Sequence, residues 1–230
     1  MKLSARSSDI EIMDDLTISG EVVAQTLREL NTINQYLGGN RISIQSFRKI
    51  IKKHQIKSLV DLGCGGADIL IQMAKASQKD NIQFTGIDAN LHIVAYAQNN
   101  TNSYANIEVS CENILSKDFQ DQSFDIIHCC LFLHHFTERE LIDLFKSFKH
   151  QAKKAIIVND LHRHFLAYHS IRLITRFFSR SYMVRNDAAI SVARGFKRRE
   201  LIRILKEAAV DNYTLKWKWA FRWQLIITCD

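Results

Sequence analysis

The segment from Lys57 to Asp88 constrains this chain more than any other. It sets a glycine-rich turn between a short apolar run and a helical pattern, and a second apolar run follows that ends on an aspartate. Lys57 to Leu62 reads as a buried parallel strand, Gly63, Gly65 and Gly66 follow at once, and a helix is predicted from about Ala67 to Ser77. Glycines in such a turn permit positive φ and let the backbone approach a ligand closely. The helix that follows aims its free N–H groups at that ligand. The next strand, Ile82 to Ile87, delivers Asp88. A carboxylate about 20 residues past such a loop is placed to accept both hydroxyls of a ribose. The unit is therefore suited to an adenosine-type cofactor.

The dinucleotide fingerprint G-x-G-x-x-G would put its third glycine where Asp68 stands. An anion near a pyrophosphate is unfavourable, which argues against NAD or FAD. The loop instead resembles motif I of the class I S-adenosylmethionine-dependent methyltransferases, D/E-x-G-x-G-x-G: Asp61, Gly63 and Gly65 match, and Ala67 stands at the last glycine. S-adenosylmethionine carries an ammonium and no phosphate, so an acidic strand end at Asp61 suits it. The resemblance implies S-adenosylmethionine as cofactor, held by Asp61, Gly63, Cys64, Gly65, Asp88 and Ala89.

A chain of 230 residues suits one α/β domain with a full core. Residues 1–15 read as a loose arm. A helix is expected from Gly20 to about Tyr36, ended by Gly38-Gly39-Asn40, with Ser43 as the cap of a second helix to about Lys53. Residues 1–56 thus form an N-terminal helical cap and 57–163 a cofactor-binding core. In that core a helix at Leu91 to Asn99, a strand at Asn106 to Ser110, a strand at Ser123 to Leu131 and a strand at Ala155 to Val158 continue the alternation. Thr137 with Glu140 makes a capping box for a helix reaching Gln151. Residues 164–194 read as a helical lid insertion, and 195–230 as a closing helix and two strands. Alternation of this kind implies a mainly parallel sheet with helices on both faces.

Ser123 to Phe136, SFDIIHCCLFLHHF, resembles the strand-four motif of the ubiquinone/menaquinone-type methyltransferases, S-F-D-x-V…L-H-H. That resemblance implies a Rossmann-like sheet of seven strands in the order 3-2-1-4-5-7-6, with strand seven antiparallel. Cys111-Glu112-Asn113 stands where the family has Gly-Asp-Ala. By the same resemblance, Glu112 takes the adenine amino group, the backbone N–H of Asn113 or Ile114 meets a ring nitrogen, and Cys130 borders the cofactor. Residues 19–41 and 158–187 look like a bacterial small-molecule subgroup associated with aromatic polyketide or aryl-lipid pathways, so the expected reaction is O-methylation of an aromatic or polyketide-like hydroxyl. C-methylation of quinone type, and a module that binds the cofactor without turnover, stand as alternatives.

Amino-group methyltransferases that carry D/N-P-P-Y after strand four are excluded, since the chain has no proline. A magnesium site of catechol type lacks its first carboxylate, and His162, His164 and His169 do not have zinc-ligand spacing, so no metal is expected. A hydroxyl acceptor needs a base, and His134 or His162, each just past a strand end, is the candidate. The net charge of +7 is uneven: residues 151–230 hold 16 basic and 6 acidic side chains. Arg172, Arg176 and Arg180 recur every four residues among Phe165, Tyr168, Phe177, Phe178 and Tyr182. This reads first as an amphipathic lid with a solvated basic stripe; as function, its apolar face, Phe177 and Phe178 included, would line an aromatic or acyl pocket, and the stripe would meet an anionic membrane or a carrier protein. No nucleic-acid module accompanies the charge. Five cysteines without metal or CxxC spacing and a start without a signal-type apolar run point to a cytoplasmic protein.

Overall fold

Apolar residues in the central strands run almost unbroken, as they must where helices cover both faces of a sheet. The computed structural model describes residues 3–229 and gives the following order. Two helices, α1 (Glu21–Tyr36) and α2 (Gly39–Ile51), precede β1 (Ser58–Leu62), α3 (Asp68–Ala76), β2 (Gln83–Asp88), α4 (Leu91–Thr101) and β3 (Ile107–Cys111). A short α5 (Lys117–Gln120), β4 (Phe124–Cys130), α6 (Glu138–Gln151) and β5 (Ala152–Leu161) complete the core. Then come α7 (Phe165–Phe178), α8 (Tyr182–Arg194), α9 (Arg198–Glu207), β6 (Tyr213–Lys218) and β7 (Arg222–Thr228). The sheet order is β3-β2-β1-β4-β5-β7-β6, with β7 antiparallel to both its neighbours and the other pairs parallel. This is the Rossmann-like seven-stranded arrangement expected from the sequence.

Side chains alternate across each strand and so feed two cores. Val60, Leu62, Ile127, Ile156 and Val158 pack on Phe145 and Phe148 of α6 and on Leu201 and Leu205 of α9. Leu59, Ile126, Ala155 and Ile157 face the other way, onto Phe47 of α2 and Leu70 and Met73 of α3. Removing a fully buried ring such as Phe145 would cost about 3–5 kcal/mol. The capping box at α6 forms as predicted: Glu140 N–H donates to Thr137 Oγ1 at 3.4 Å, and Thr137 N–H donates to Glu140 Oε2 at 2.7 Å.

Four sequence expectations are corrected. Ser43 does not cap α2; Gly38, at φ 72°, turns the chain straight into a helix that begins at Gly39, and Ser43 lies buried inside it. The insertion is two helices, α7 and α8, packed on each other. Arg180 falls in the link between them, so only Arg172 and Arg176 share a helical face. The arm at 3–15 is strapped down rather than loose: Arg6 donates to the carbonyls of His134, Phe136 and Arg194, and the N–H groups of Ile12 and Met13 donate to the Asp187 carboxylate.

Candidate active site

The carboxyl ends of β1, β2 and β4 open onto a cavity of about 400 Å³, roofed by α1, the arm and α8. At its centre the glycine turn takes left-handed conformations, with φ +67° at Gly63 and +53° at Gly65. A Cβ at Gly63 would also stand 2.3 Å from the Phe132 ring, so only glycine fits. The N–H groups of Gly63 and Cys64 both donate to Ile87 O, at 2.8 and 3.0 Å, which fixes the loop against β2. Asp88 accepts from Gly65 N–H at 3.2 Å and from Asn90 N–H at 3.1 Å. Burial raises its pKa against those bonds. No side chain caps α3, which begins next to the loop behind Ala67. Asp68, in its first turn, is pushed up to about 6 by burial, with its hydrogen bonds to its own backbone and to Asn31 acting in the opposite direction.

All nine residues expected around the cofactor line this one cavity: Asp61, Gly63, Cys64, Gly65, Asp88, Ala89, Glu112, Asn113 and Cys130. Glu112 accepts from Ser110 Oγ at 2.6 Å and from Gln122 Nε2 at 3.2 Å, while Asn113 Oδ1 closes a local turn onto Leu115 N–H. The thiol of Cys64 is held well above its usual range by burial, and that of Cys130 is pushed up to about 12, also by burial, so both are protonated and inert.

A polar layer that sequence reasoning missed lies beneath the cavity. His128 is completely buried; its Nδ1 meets Asp61 Oδ1 at 2.6 Å and its Nε2 meets Ser43 Oγ at 2.9 Å. Asn159 Nδ2 donates to the same Ser43 Oγ and to Gly39 O. The chain thus spans from the motif I acid through β4 to α2 and β5. It pins Asp61 by one oxygen and leaves the other without a partner among the described residues.

The far end of the cavity is built from the Leu133–His135 turn, the arm and α8. Asp160, at the end of β5, accepts from the N–H groups of Leu133 and His134 through Oδ2 and meets His134 Nδ1 at 2.7 Å through Oδ1. His134 Nε2 points at Glu11 Oε1, 3.6 Å away. Glu11 is 5% exposed; Ser191 holds Oε2, and Oε1 has no hydrogen-bond partner among the described residues. Burial works against a charge on His134, but Asp160 and Glu11 outweigh it and push the imidazole up to about 9. Burial likewise raises Glu11, and the two histidines and Ser191 overcome it, so its carboxyl sits below the ordinary range. His135 pairs with Asp14 at 2.6 Å, and Arg194 bridges Asp14 and the His135 carbonyl. Donor atoms of Glu11, His134 and His135 lie within 4.8 Å of one another. Arg194 stands 3.8 Å from Glu11 Oε1, where it opposes a metal cation.

The two histidines expected as bases are separated. His134 lines the cavity; His162 does not. His162 is turned toward the closing hairpin, accepting from Trp217 Nε1 at 3.2 Å and packed near Trp223 and His164. Burial and the neighbouring His164 lower its pKa. Phe177 and Phe178, expected on the acceptor pocket, are 70% and 83% exposed and face away from it. Glu11 and Asp14 carried no periodic or motif signal; only the long-range fold brings them to His134 and His135.

A methyltransferase-domain family matches residues 59–155. Among solved structures, the plantazolicin methyltransferase BpumL in complex with SAH superposes with a TM-score of 0.65 at 15% identity, covering 91% of this chain and 94% of that chain. Human N-acetylserotonin methyltransferase in complex with SAM gives 0.65 at 14% identity, over 91% of this chain and 56% of that one. Magnesium protoporphyrin IX methyltransferase from Synechocystis PCC 6803, with bound SAM, gives 0.56 at 14% identity, over 84% and 81%. At these identities the likeness is one of fold. No curated protein matches the chain in sequence.

Proposed function

We propose that the chain is a methyltransferase that binds S-adenosylmethionine in this cavity and methylates a hydroxyl of an aromatic or polyketide-like small molecule. The matched methyltransferase domain and the shape of the site support the cofactor. Asp88 offers a half-buried carboxylate for a ribose edge, Glu112 an acceptor for an adenine amino group, and the free oxygen of Asp61 a partner for an ammonium. When bound, the cofactor supplies an electrophilic methyl carbon on a sulfonium. The chain's own task is to bring a nucleophile in line, exclude water and manage its proton.

The observation that carries the hydroxyl reading is Glu11 Oε1, which has no hydrogen-bond partner among the described residues, beside His134 Nε2. An acceptor hydroxyl set between them gives Glu11 the hydrogen bond it lacks and hands its proton to the pair, with Asp160 fixing the imidazole from behind. A single observation favours the C-methylation alternative: with its pKa near 9, His134 is a cation at neutral pH and suits pairing with the oxyanion of an enolate or phenolate. The pH profile separates the two. Rate that rises up to about pH 9 marks proton acceptance by His134, and rate that falls through about pH 9 marks donation to an oxyanion.

The partner reading attaches to α7. Phe165, Leu166, Leu173 and Phe177 are exposed beside Arg172 and Arg176, and residues 165–186 contain four arginines and no carboxylate. Such a face suits the surface of an anionic membrane, where a lipophilic acceptor would be met. No helix of the described residues is long and apolar enough to cross one. Co-sedimentation with anionic vesicles tests this reading, and binding to an acyl carrier protein instead would replace it.

A further inference from the structure

The closing strand β7 brings a cation to a place where no anion awaits it. Arg222 is 3% exposed, and its guanidinium has one hydrogen bond, from Nη2 to Asn34 Oδ1 at 2.6 Å. Nε and Nη1 are buried without a partner among the described residues, and no carboxylate there forms an ion pair with it. Asp160, the carboxylate that acts on Arg222 electrostatically, has both oxygens committed to His134 and to the N–H groups of Leu133, His134 and Leu161. A buried, unpaired charge is costly, and desolvation lowers the pKa of Arg222 accordingly.

The guanidinium lies flat on Gly39, the first residue of α2: a Cβ there would stand 2.8 Å from Cζ. Helix α2 runs 13 residues and starts behind Gly38 with no side-chain cap. Its first N–H groups and its dipole therefore present positive potential at the same spot as Arg222. The neighbouring Asn159 Oδ1 is also buried without a partner, while its Nδ2 holds Gly39 O. Asn34, Asn40 and Cys130 separate this cluster from the cavity, whose wall they form. The forked N–H pattern of arginine and a free helix terminus both match a carboxylate.

We propose that Arg222 and the amino end of α2 form a carboxylate-binding subsite behind the cavity wall, reached from the cavity when Asn34 moves aside. The carboxylate comes either from the amino-acid end of the cofactor or from the methyl acceptor; the first source rests on the cofactor reading above. Occupancy supplies the missing counter-charge, with Asn34 giving way to the anion. A lysine in place of Arg222 keeps the charge but not the fork, so it should recover only part of the binding.

Calorimetry on the full chain tests this with three probes: S-adenosylhomocysteine, its decarboxylated analogue, and 5′-methylthioadenosine, which lacks the whole amino-acid arm. If the cofactor is the source, wild type binds S-adenosylhomocysteine at least tenfold more tightly than the decarboxylated analogue. Arg222→Met then removes that difference without changing 5′-methylthioadenosine affinity, and Arg222→Lys restores part of it. If the acceptor is the source, the cofactor probes are indifferent to Arg222→Met. In that case wild type saturated with S-adenosylhomocysteine binds aryl carboxylates over their amides, and the variant does not. Indifference in both arms overturns the proposal. Should Arg222→Met fail to fold, Arg222→Lys carries the test: a partial loss of the carboxylate preference supports the proposal, and an unchanged preference overturns it. Failure of 5′-methylthioadenosine to bind at all would strike the cofactor reading instead.

Discussion

His134 should make the stability of this protein depend on pH in a particular window. The imidazole is buried between Asp160 and Glu11, with Arg194 and His135 at its edge, and holds its proton up to about 9. In the unfolded chain the same group titrates near 6.5. A proton bound more tightly in the folded state stabilises that state; here the contribution is complete below pH 6.5 and lost as pH rises through about 9. At about 1.4 kcal/mol for each tenfold change in proton affinity, the difference amounts to about 3 kcal/mol. Other groups titrate over the same range, so the quantity to measure is the gap between wild type and His134→Gln. Urea unfolding of both at intervals from pH 6 to pH 10 gives it. The gap should shrink by about 3 kcal/mol across the window, and Asp160→Asn should move the change to lower pH. A gap that stays constant would mean that His134 is neutral in the fold, and the reasoning from its two carboxylates would fail.

Glu11→Gln should lower kcat by about 10²-fold while leaving S-adenosylhomocysteine affinity unchanged, because it removes the carboxylate's charge and basicity but not the cofactor contacts; steady-state kinetics with calorimetry check it. His162→Ala should keep kcat within about twofold in the same assay, since its ring packs on the closing hairpin away from the cavity. Activity should survive EDTA, as Arg194 already faces Glu11; loss on chelation with rescue by a divalent metal would overturn this. Phe177→Ser with Phe178→Ser should abolish co-sedimentation with anionic vesicles without altering the melting temperature, because both rings are exposed.

The alternation of strands and helices was legible because it is written locally. The Gly63–Gly65 turn, the Thr137–Glu140 box and the run from Phe124 to Cys130 each declare themselves within a few residues, whereas the sheet order came only from the resemblance to a known family. The residues of the proposed cofactor side could be named for the same reason: Asp61, Gly63 and Asp88 sit at or just past the ends of consecutive strands and line one cavity. Those of the proposed acceptor side could not. Glu11 meets His134 and Ser191 across more than a hundred residues, through an arm whose short polar run shows neither helical nor strand period. His162 and His134 both follow a strand end, yet the bend after β5 turns one toward Trp217 and the other enters the cavity. Ser43 carried a cap signal that Gly38 overrode by placing the helix cap five residues earlier. Phe177 and Phe178 have the composition of a pocket and the position of a surface, a distinction that only packing against α8 decides.

Cofactor binding at the glycine turn is the central claim, and titration calorimetry of S-adenosylhomocysteine with wild type and Asp88→Ala tests it most directly. Asp88 lies half-buried at the cavity wall, fixed by the N–H groups of Gly65 and Asn90. Removing its charge-assisted hydrogen bonds to a ribose should weaken binding by at least about 1.5 kcal/mol, more than tenfold. Equal affinity in the variant, or a preference of wild type for NAD, would contradict the account.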